Sequence, residues 1–224
     1  APATCGGRRP PWHPVRVVAR TLVLASRSPA RRALLQAAGF APRVVVSGVD
    51  EDGVAGLDAA TATCVLAERK ATAVADRLAA RGAPADGPPP VVVACDSVLD
   101  VDGELRGRPA GPEEAARWWR GYRGRTGTLV TGHAVIDVPT ARRAVAASAT
   151  VVRFGDPTDE EIEAYVATGE PLDVAGGFTL DGYAAPFVDG VDGDHGTVLG
   201  LSLPLLRRLL AEVGIDVTTL WAPR

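Results

Sequence analysis

Asp96 follows Val91-Val-Val-Ala-Cys95, a run of small apolar residues that reads as a buried strand. A carboxylate emerging from a core at a strand's end needs partners. It can coordinate Mg²⁺ through oxygen or accept a proton from an attacking water, and both suit phosphoryl chemistry; it can equally cap the next turn together with Ser97. Val49-Asp50-Glu51 places further carboxylates where a second apolar segment runs into a loop, either in a ligand crevice or as solvated loop acids. Lys70 is the only lysine among 24 basic residues, all others being arginine. A lysine kept against that bias suits a tight site that needs a compact point charge, unless it survives by chance. Arg31 and Arg32 fall in the first turn of a helix that Ser28 caps and Pro29 begins, where the backbone field is already positive. Either an anion such as a phosphate lies among the free N–H groups, the hydroxyls of Ser26 and Ser28 and the guanidinium forks, or both arginines fan into solvent.

Weaker signals lie further along. Leu105-Arg106-Gly107-Arg108-Pro109 is a stiff loop able to aim Arg108 at a phosphate. Gly176-Gly-Phe-Thr-Leu-Asp181-Gly182 joins flexible backbone to an acid that either hydrogen-bonds a base edge or makes a turn. His133 and His195 have no spacing with other ligands and read as structural, and Trp118-Trp119 reads as core or subunit contact.

The elements that must position these groups alternate. The pattern predicts strand 21–26, helix 29–38, strand 43–47, helix 60–81, a Pro/Gly loop through Pro90, and strand 91–95. A hairpin from Val98 to Leu105 turning at Asp102-Gly103 follows, then a helix from Pro112 to Arg120. Long β-segments over 126–138 and 143–153 flank Pro139-Thr140, and an acid-led helix covers 158–168. A glycine-dense acidic loop spans Gly176 to Gly196, and a last helix runs from Ser202 to Val213. The fold class expected is α/β with a mixed, twisted sheet, because the long hairpin argues against a purely parallel one.

Composition narrows the function classes. With 224 residues and 46% hydrophobic content the chain can bury a proper core, and 21–224 is expected to form one domain behind a flexible extension over 1–20. A net charge of −3 leaves no global basic field, so no nucleic-acid partner is expected and any anion site must be local. Three scattered cysteines, Cys5, Cys64 and Cys95, suggest neither a disulfide framework nor a zinc site and suit a reducing cytoplasm. No apolar run is long enough for a membrane span.

With these residues in hand, the chain resembles the Maf family of nucleoside triphosphate pyrophosphatases. The family's Leu-Ala-Ser-x-Ser-Pro block is similar to Leu24-Ala25-Ser26-Arg27-Ser28-Pro29, its Val-Asp-Glu to Val49–Glu51, and its helical lysine to Lys70. Ala-Asp-Thr becomes Cys95-Asp96-Ser97, Gly-Lys-Pro becomes Gly107-Arg108-Pro109, and Tyr-x-x-x-x-Glu-Pro matches Tyr165 to Pro171. The late block from Ala175 to Asp194 and Gly200-Leu-Ser-Leu-Pro204 also fits, so the likeness runs from about Thr21 to Gly214.

The resemblance implies a sheet flanked by helices around a central cleft, similar to that of inosine triphosphate pyrophosphatases. It also implies a homodimer in the cytoplasm that hydrolyses a nucleoside triphosphate between the α and β phosphates with Mg²⁺ or Mn²⁺. It casts Asp96 as proton acceptor and Glu51 as metal or water-positioning partner, both as metal ligands, and Lys70 with them in catalysis. Ser26, Arg31, Lys70 and Arg108 would neutralise the triphosphate, and Ser28, Ser97 and Asp181 would also meet substrate. The family's dTTP/UTP-selective branch carries arginine, threonine and glutamine where this chain has Ala30, Ser97 and Asp181, and its 7-methyl-GTP branch carries tryptophan, glutamine and glutamate; this chain matches neither set. A departure from strict dTTP/UTP selectivity is therefore expected. The rival readings are a non-catalytic nucleotide-sensing regulator of cell division and a nucleotidyltransferase.

Overall fold

A computed structural model describes residues 20–81 and 88–222. The extension expected over 1–20 lies, but for Arg20, outside the described residues.

Strand β1 (Thr21–Leu24) leads into α1 (Pro29–Ala37), β2 (Arg43–Val44) and α2 (Ala59–Ala80). Strand β3 (Pro90–Val101) turns back as β4 (Glu104–Arg106), and α3 (Pro112–Tyr122) follows. The hairpin of β5 (Thr126–Asp137) and β6 (Arg142–Phe154) precedes α4 (Asp159–Ala167), β7 (Val188–Asp192), the short α5 (His195–Val198) and α6 (Leu203–Glu212). The strands form one mixed seven-stranded sheet of order β2-β1-β3-β5-β6-β7, with β4 also on β3. Pairing is parallel among β2, β1 and β3 and antiparallel from β3 onward, as the long hairpin required.

The period of two along β1 and β3 sorts their side chains onto opposite layers. Leu22, Leu24, Val91, Val93 and Cys95 pack with Leu35 of α1 and the leucine stripe of α6. Val23, Ala25, Val92 and Ala94 pack with Ala67, Ala71 and Val74 of α2. The far half of the sheet buries Leu99, Leu129 and Phe154 against Trp119, Tyr122 and Tyr165 of α3 and α4. Trp119 is thus a core residue, as its setting beside Trp118 suggested.

The helix α2 lies close to the sheet because Gly132 of β5 has no side chain: a Cβ there would stand 2.3 Å from the Thr63 carbonyl carbon. The β3–β4 turn needs left-handed backbone at Asp102 (φ 55°) and Gly103 (φ 85°), which the Asp-Gly pair supplies. Helix α4 begins with a reciprocal cap between Thr158 and Glu161.

Three expectations are corrected. The strand expected over 43–47 ends at Val44, because the Val46 and Ser47 carbonyls accept from Arg77 of α2 at 2.8 and 2.9 Å rather than from a neighbouring strand. The loop expected over 176–196 contains β7, whose Val-Asp-Gly-Val-Asp has little pattern of its own and is made a strand by pairing with β6. The strand expected over 91–95 and the first arm of the hairpin expected from Val98 are one strand, β3, which runs through Asp96 and Ser97 on an unbroken ladder with β5.

Candidate active site

On one edge, β3 pairs with β1 only through Val93 and with β4 only from Leu99, so among the described residues Ala94–Val98 has no strand beside it on that edge. The strand order also reverses here: β1 connects through α1 to β2 on one side and lies against β3 on the other, with α1 and α2 on opposite layers. Open sheets hold ligands at such a point. A cavity of about 780 Å³ occupies it.

Consecutive residues of β3 face opposite layers there. Asp96, in phase with Val92 and Ala94, meets α2: the Lys70 ammonium donates to Asp96 Oδ1 at 2.6 Å and to Glu51 Oε1 at 2.6 Å. The Lys70 and Asp96 side chains are 12% and 15% exposed and Glu51 is 57% exposed, so the cluster opens toward solvent on the Glu51 side. Burial favours the neutral form of Glu51 but is outweighed by the Lys70 hydrogen bond and by the charges of Lys70, Arg108 and Arg31, which hold its carboxyl below the ordinary value. Behind it, Arg69 donates to the Asp52 carbonyl at 2.7 Å and ties the loop that carries Glu51 to α2.

Ser97, in phase with Cys95, meets α1. Arg31 donates through Nε to the Gly200 carbonyl at 2.8 Å, through Nη1 to the Cys95 carbonyl at 2.8 Å and Ser26 Oγ at 3.1 Å, and through Nη2 to Ser97 Oγ at 3.0 Å. A single Nη2 hydrogen remains unspent. Thr131 donates its hydroxyl hydrogen to the Thr197 carbonyl at 2.8 Å, so in the 2.8 Å contact between Ser97 and Thr131 it is Ser97 that donates. With its hydrogen committed, Ser97 offers a ligand only a lone pair.

Eight of the predicted residues, Glu51, Lys70, Asp96, Ser97, Ser28, Arg31, Arg108 and Asp181, line the cavity together. Ser26 does not reach the wall; its Oγ lies behind it, accepting from Ser28 N at 3.2 Å and from Arg31. Ser28 caps α1 by accepting from Arg31 N at 3.3 Å, and Pro29 opens that helix. The choice between an anion cradle and solvated arginines has a third answer at Arg31, whose fork is largely spent on the protein, while Arg32 is exposed. Asp181 is exposed on a loop held by Glu170, which accepts from Thr179 Oγ1 at 3.1 Å and Tyr183 N at 2.9 Å.

Sequence reasoning missed Thr131, Gly132, Thr197 and Gly200. Each acts only once β5 and the α5 turn are folded beside β3, and only the glycine of Gly200-Leu-Ser-Leu-Pro204 left a trace. His133 is fully buried: Nε2 accepts from Ser202 N at 2.8 Å, so Nδ1 carries the hydrogen toward the Thr131 carbonyl at 3.0 Å. Burial pushes it down to about 4, a neutral structural imidazole as its spacing implied.

Among the described residues no three His, Cys, Asp or Glu side chains gather as a metal cage. Glu51 and Asp96 converge on one cation, a donor set that fits Mg²⁺, which takes one or two carboxylates and completes its shell with water and substrate phosphates. No helix among the described residues is long and apolar enough to cross a membrane.

An α/β protein with an acid–lysine–acid cluster at its sheet's switch point is the class that fold and site define. The chain belongs to the Maf-like protein family, whose model matches residues 21–213. It is 58% identical over 204 residues to a nucleoside triphosphate pyrophosphatase of Streptomyces coelicolor, covering 91% of this chain and 96% of the relative. Relatives of the same description share 56% over 205 residues in Streptomyces avermitilis (92% of this chain, 96% of the relative) and 51% over 209 residues in Nocardia farcinica (90% and 96%).

Proposed function

We propose that this chain is a nucleoside triphosphate pyrophosphatase, hydrolysing the α–β phosphate bond to a monophosphate and pyrophosphate. The observation that carries the reading is the Lys70 ammonium held between Asp96 and Glu51 in the cavity at the switch point. The descriptions of the relatives support it.

Hydrolysis of this anhydride is a matter of position and charge. Asp96 uses Oδ1 for Lys70, so Oδ2 is the oxygen assigned to take the proton from the attacking water. Lys70, freed from one carboxylate as substrate enters, turns its point charge toward the phosphates, and Arg108 faces them from the loop after β4. The Ser28 hydroxyl and the amino end of α1 meet the same anion. Glu51 and Asp96 would hold a divalent cation such as Mg²⁺ or Mn²⁺, which when bound supplies further neutralisation of the phosphates. Arg31 serves by holding Ser97 and the Gly200 turn in place.

Base choice belongs to the same proposal. Ser97 can only accept, and the carboxylate of Asp181 on the cavity wall also accepts, so bases presenting N–H donors are favoured over uracil or thymine carbonyls. A homodimer in the cytoplasm completes the reading, and sedimentation of the purified chain reads its mass.

The test is pyrophosphate release from a panel of canonical and modified triphosphates, with and without Mg²⁺, for the native chain and Asp96→Asn. Release that needs no acceptor, needs the metal and fails in Asp96→Asn is the expected result. Binding without release would favour a regulator, release only with an acceptor a transferase, and sharp preference for dTTP and UTP would overturn the assigned base choice.

A further inference from the structure

We infer that Arg106 is the positioning residue for Arg108, docking the loop that carries it onto the aromatic face of α3. The inference rests on the triphosphate reading above.

Arg106 is the last residue of β4, a three-residue strand that among the described residues pairs with β3 alone. So short an edge cannot by itself fix the Gly107-Arg108-Pro109 turn that follows. The Arg106 side chain is only 15% exposed. Its guanidinium carbon lies 5.0 Å from the centre of the Tyr122 ring and 5.8 Å from that of Trp118, and Nη2 donates to Glu104 at 3.1 Å. Nη1 is buried with no hydrogen-bond acceptor among the described residues, so the ring faces are what offset its desolvation.

The platform is itself fastened to the neighbouring wall of the cavity. Tyr122 donates to the Gly176 carbonyl at 3.0 Å, and Trp119 and Tyr165 donate to the Gly177 carbonyl at 2.8 and 3.2 Å. Burial raises the Tyr122 hydroxyl to about 12, which keeps it a donor. Gly176 N in turn donates to the Gly107 carbonyl at 2.8 Å, between Arg106 and Arg108. Residue 107 is thus gripped through its backbone from one side and through its neighbour's side chain from the other. Arg108 is exposed and lines the cavity, where its charge reaches Glu51. Its aim depends on this grip, because a long exposed side chain has no rotamer enforced by packing.

The experiment is pyrophosphate-release kinetics for Arg106→Leu, Arg106→Lys, Arg108→Ala and the Arg106→Leu/Arg108→Ala pair, each checked by thermal melting. Arg106→Leu is expected to raise KM about ten-fold with kcat within about three-fold. Arg106→Lys, which keeps a cation over the rings, is expected to recover most of the loss. In the Arg108→Ala background Arg106→Leu is expected to add less than about two-fold, because the two act as one unit. An unchanged KM in Arg106→Leu, a loss confined to kcat, or a KM rise that repeats in full without Arg108 overturns the inference. If Arg106→Leu does not fold, Trp118→Leu is the substitute: it removes one ring, a KM rise of about three-fold is expected, and native KM overturns the inference. Absence of pyrophosphate release from the native chain would instead fail the pyrophosphatase reading, leaving the Arg106 contribution to be read as calorimetric affinity for an α,β-methylene triphosphate.

Discussion

Asp96 and Ser97 are neighbours in one strand, yet the networks they enter behave in opposite ways. Toward α2, Asp96 joins an ionic cluster whose donor is a compact ammonium and whose second carboxylate, Glu51, is 57% exposed. Toward α1, Ser97 joins a closed hydrogen-bonded chain in which Arg31, Ser97 and Thr131 donate in sequence until the Thr197 carbonyl ends it. The first network can exchange partners when an anion arrives, because a lysine ammonium rotates freely and loses little geometry. The second cannot, because a planar fork with four hydrogen bonds has one good orientation. On the proposed reading, cations in the same cavity therefore have different work: Lys70 moves with the chemistry and Arg31 holds the walls.

The largest expected effect is on the mobile side. Asp96→Asn keeps the shape and removes the proposed proton acceptor, so pyrophosphate release is expected to fall by about 10²–10⁴-fold with little change in melting temperature. Undiminished turnover would remove Asp96 from that role. On the fixed side, Arg31→Lys leaves the Gly200 and Cys95 carbonyls without their donors, and a loss of about 3 kcal/mol in urea unfolding is expected, larger in proportion than the loss of turnover. If Arg31→Lys instead abolished turnover at native stability, the two sides would not differ as described. Lys70→Arg sharpens the contrast: a guanidinium replaces one compact, rotating point charge between the carboxylates with a larger planar fork, and about a ten-fold fall in kcat is expected with stability near native. Native kinetics would mean that the lone lysine is not required.

The smallest expected effect is a pH slope behind the fixed network. His133 is neutral when folded, with a value near 4, against an ordinary 6.5 when unfolded. Between those values the unfolded chain binds the extra proton, so this residue's contribution to stability is intact above about pH 6.5 and falls as pH drops toward 4. The expected slope is at most about 1.4 kcal/mol per pH unit in chemical denaturation. His133→Gln should flatten it, and an unchanged slope would assign it to other groups.

Much of the frame was legible because it rests on local physics. The cap at Ser28, the Asp102-Gly103 turn and the acid-led start of α4 are settled by residues within a few positions of one another. The site was legible as a set of residue types: Asp96 after an apolar run, Glu51 after a strand and the single lysine. Other features were not. Strand β7, and the continuity of β3 through Asp96 and Ser97 that joins the run ending at Cys95 to the hairpin arm expected from Val98, depend on partners far away in the chain.

By itself, the sequence determined the alternation of strands and helices, the face each strand residue takes and the supply of acids and cations, because periodicity and capping are short-range. Only the tertiary structure decided how those charges are spent. Whether Arg31 would hold an anion or the protein depended on the Gly200 and Cys95 carbonyls, which come from segments 169 and 64 residues away in the chain. Whether Lys70 would meet Asp96 depended on Gly132, opposite it in β5, leaving room for α2 to approach. Hydrogen-bond donors are committed by whichever acceptors lie within about 3 Å, and that is a property of the assembled layers.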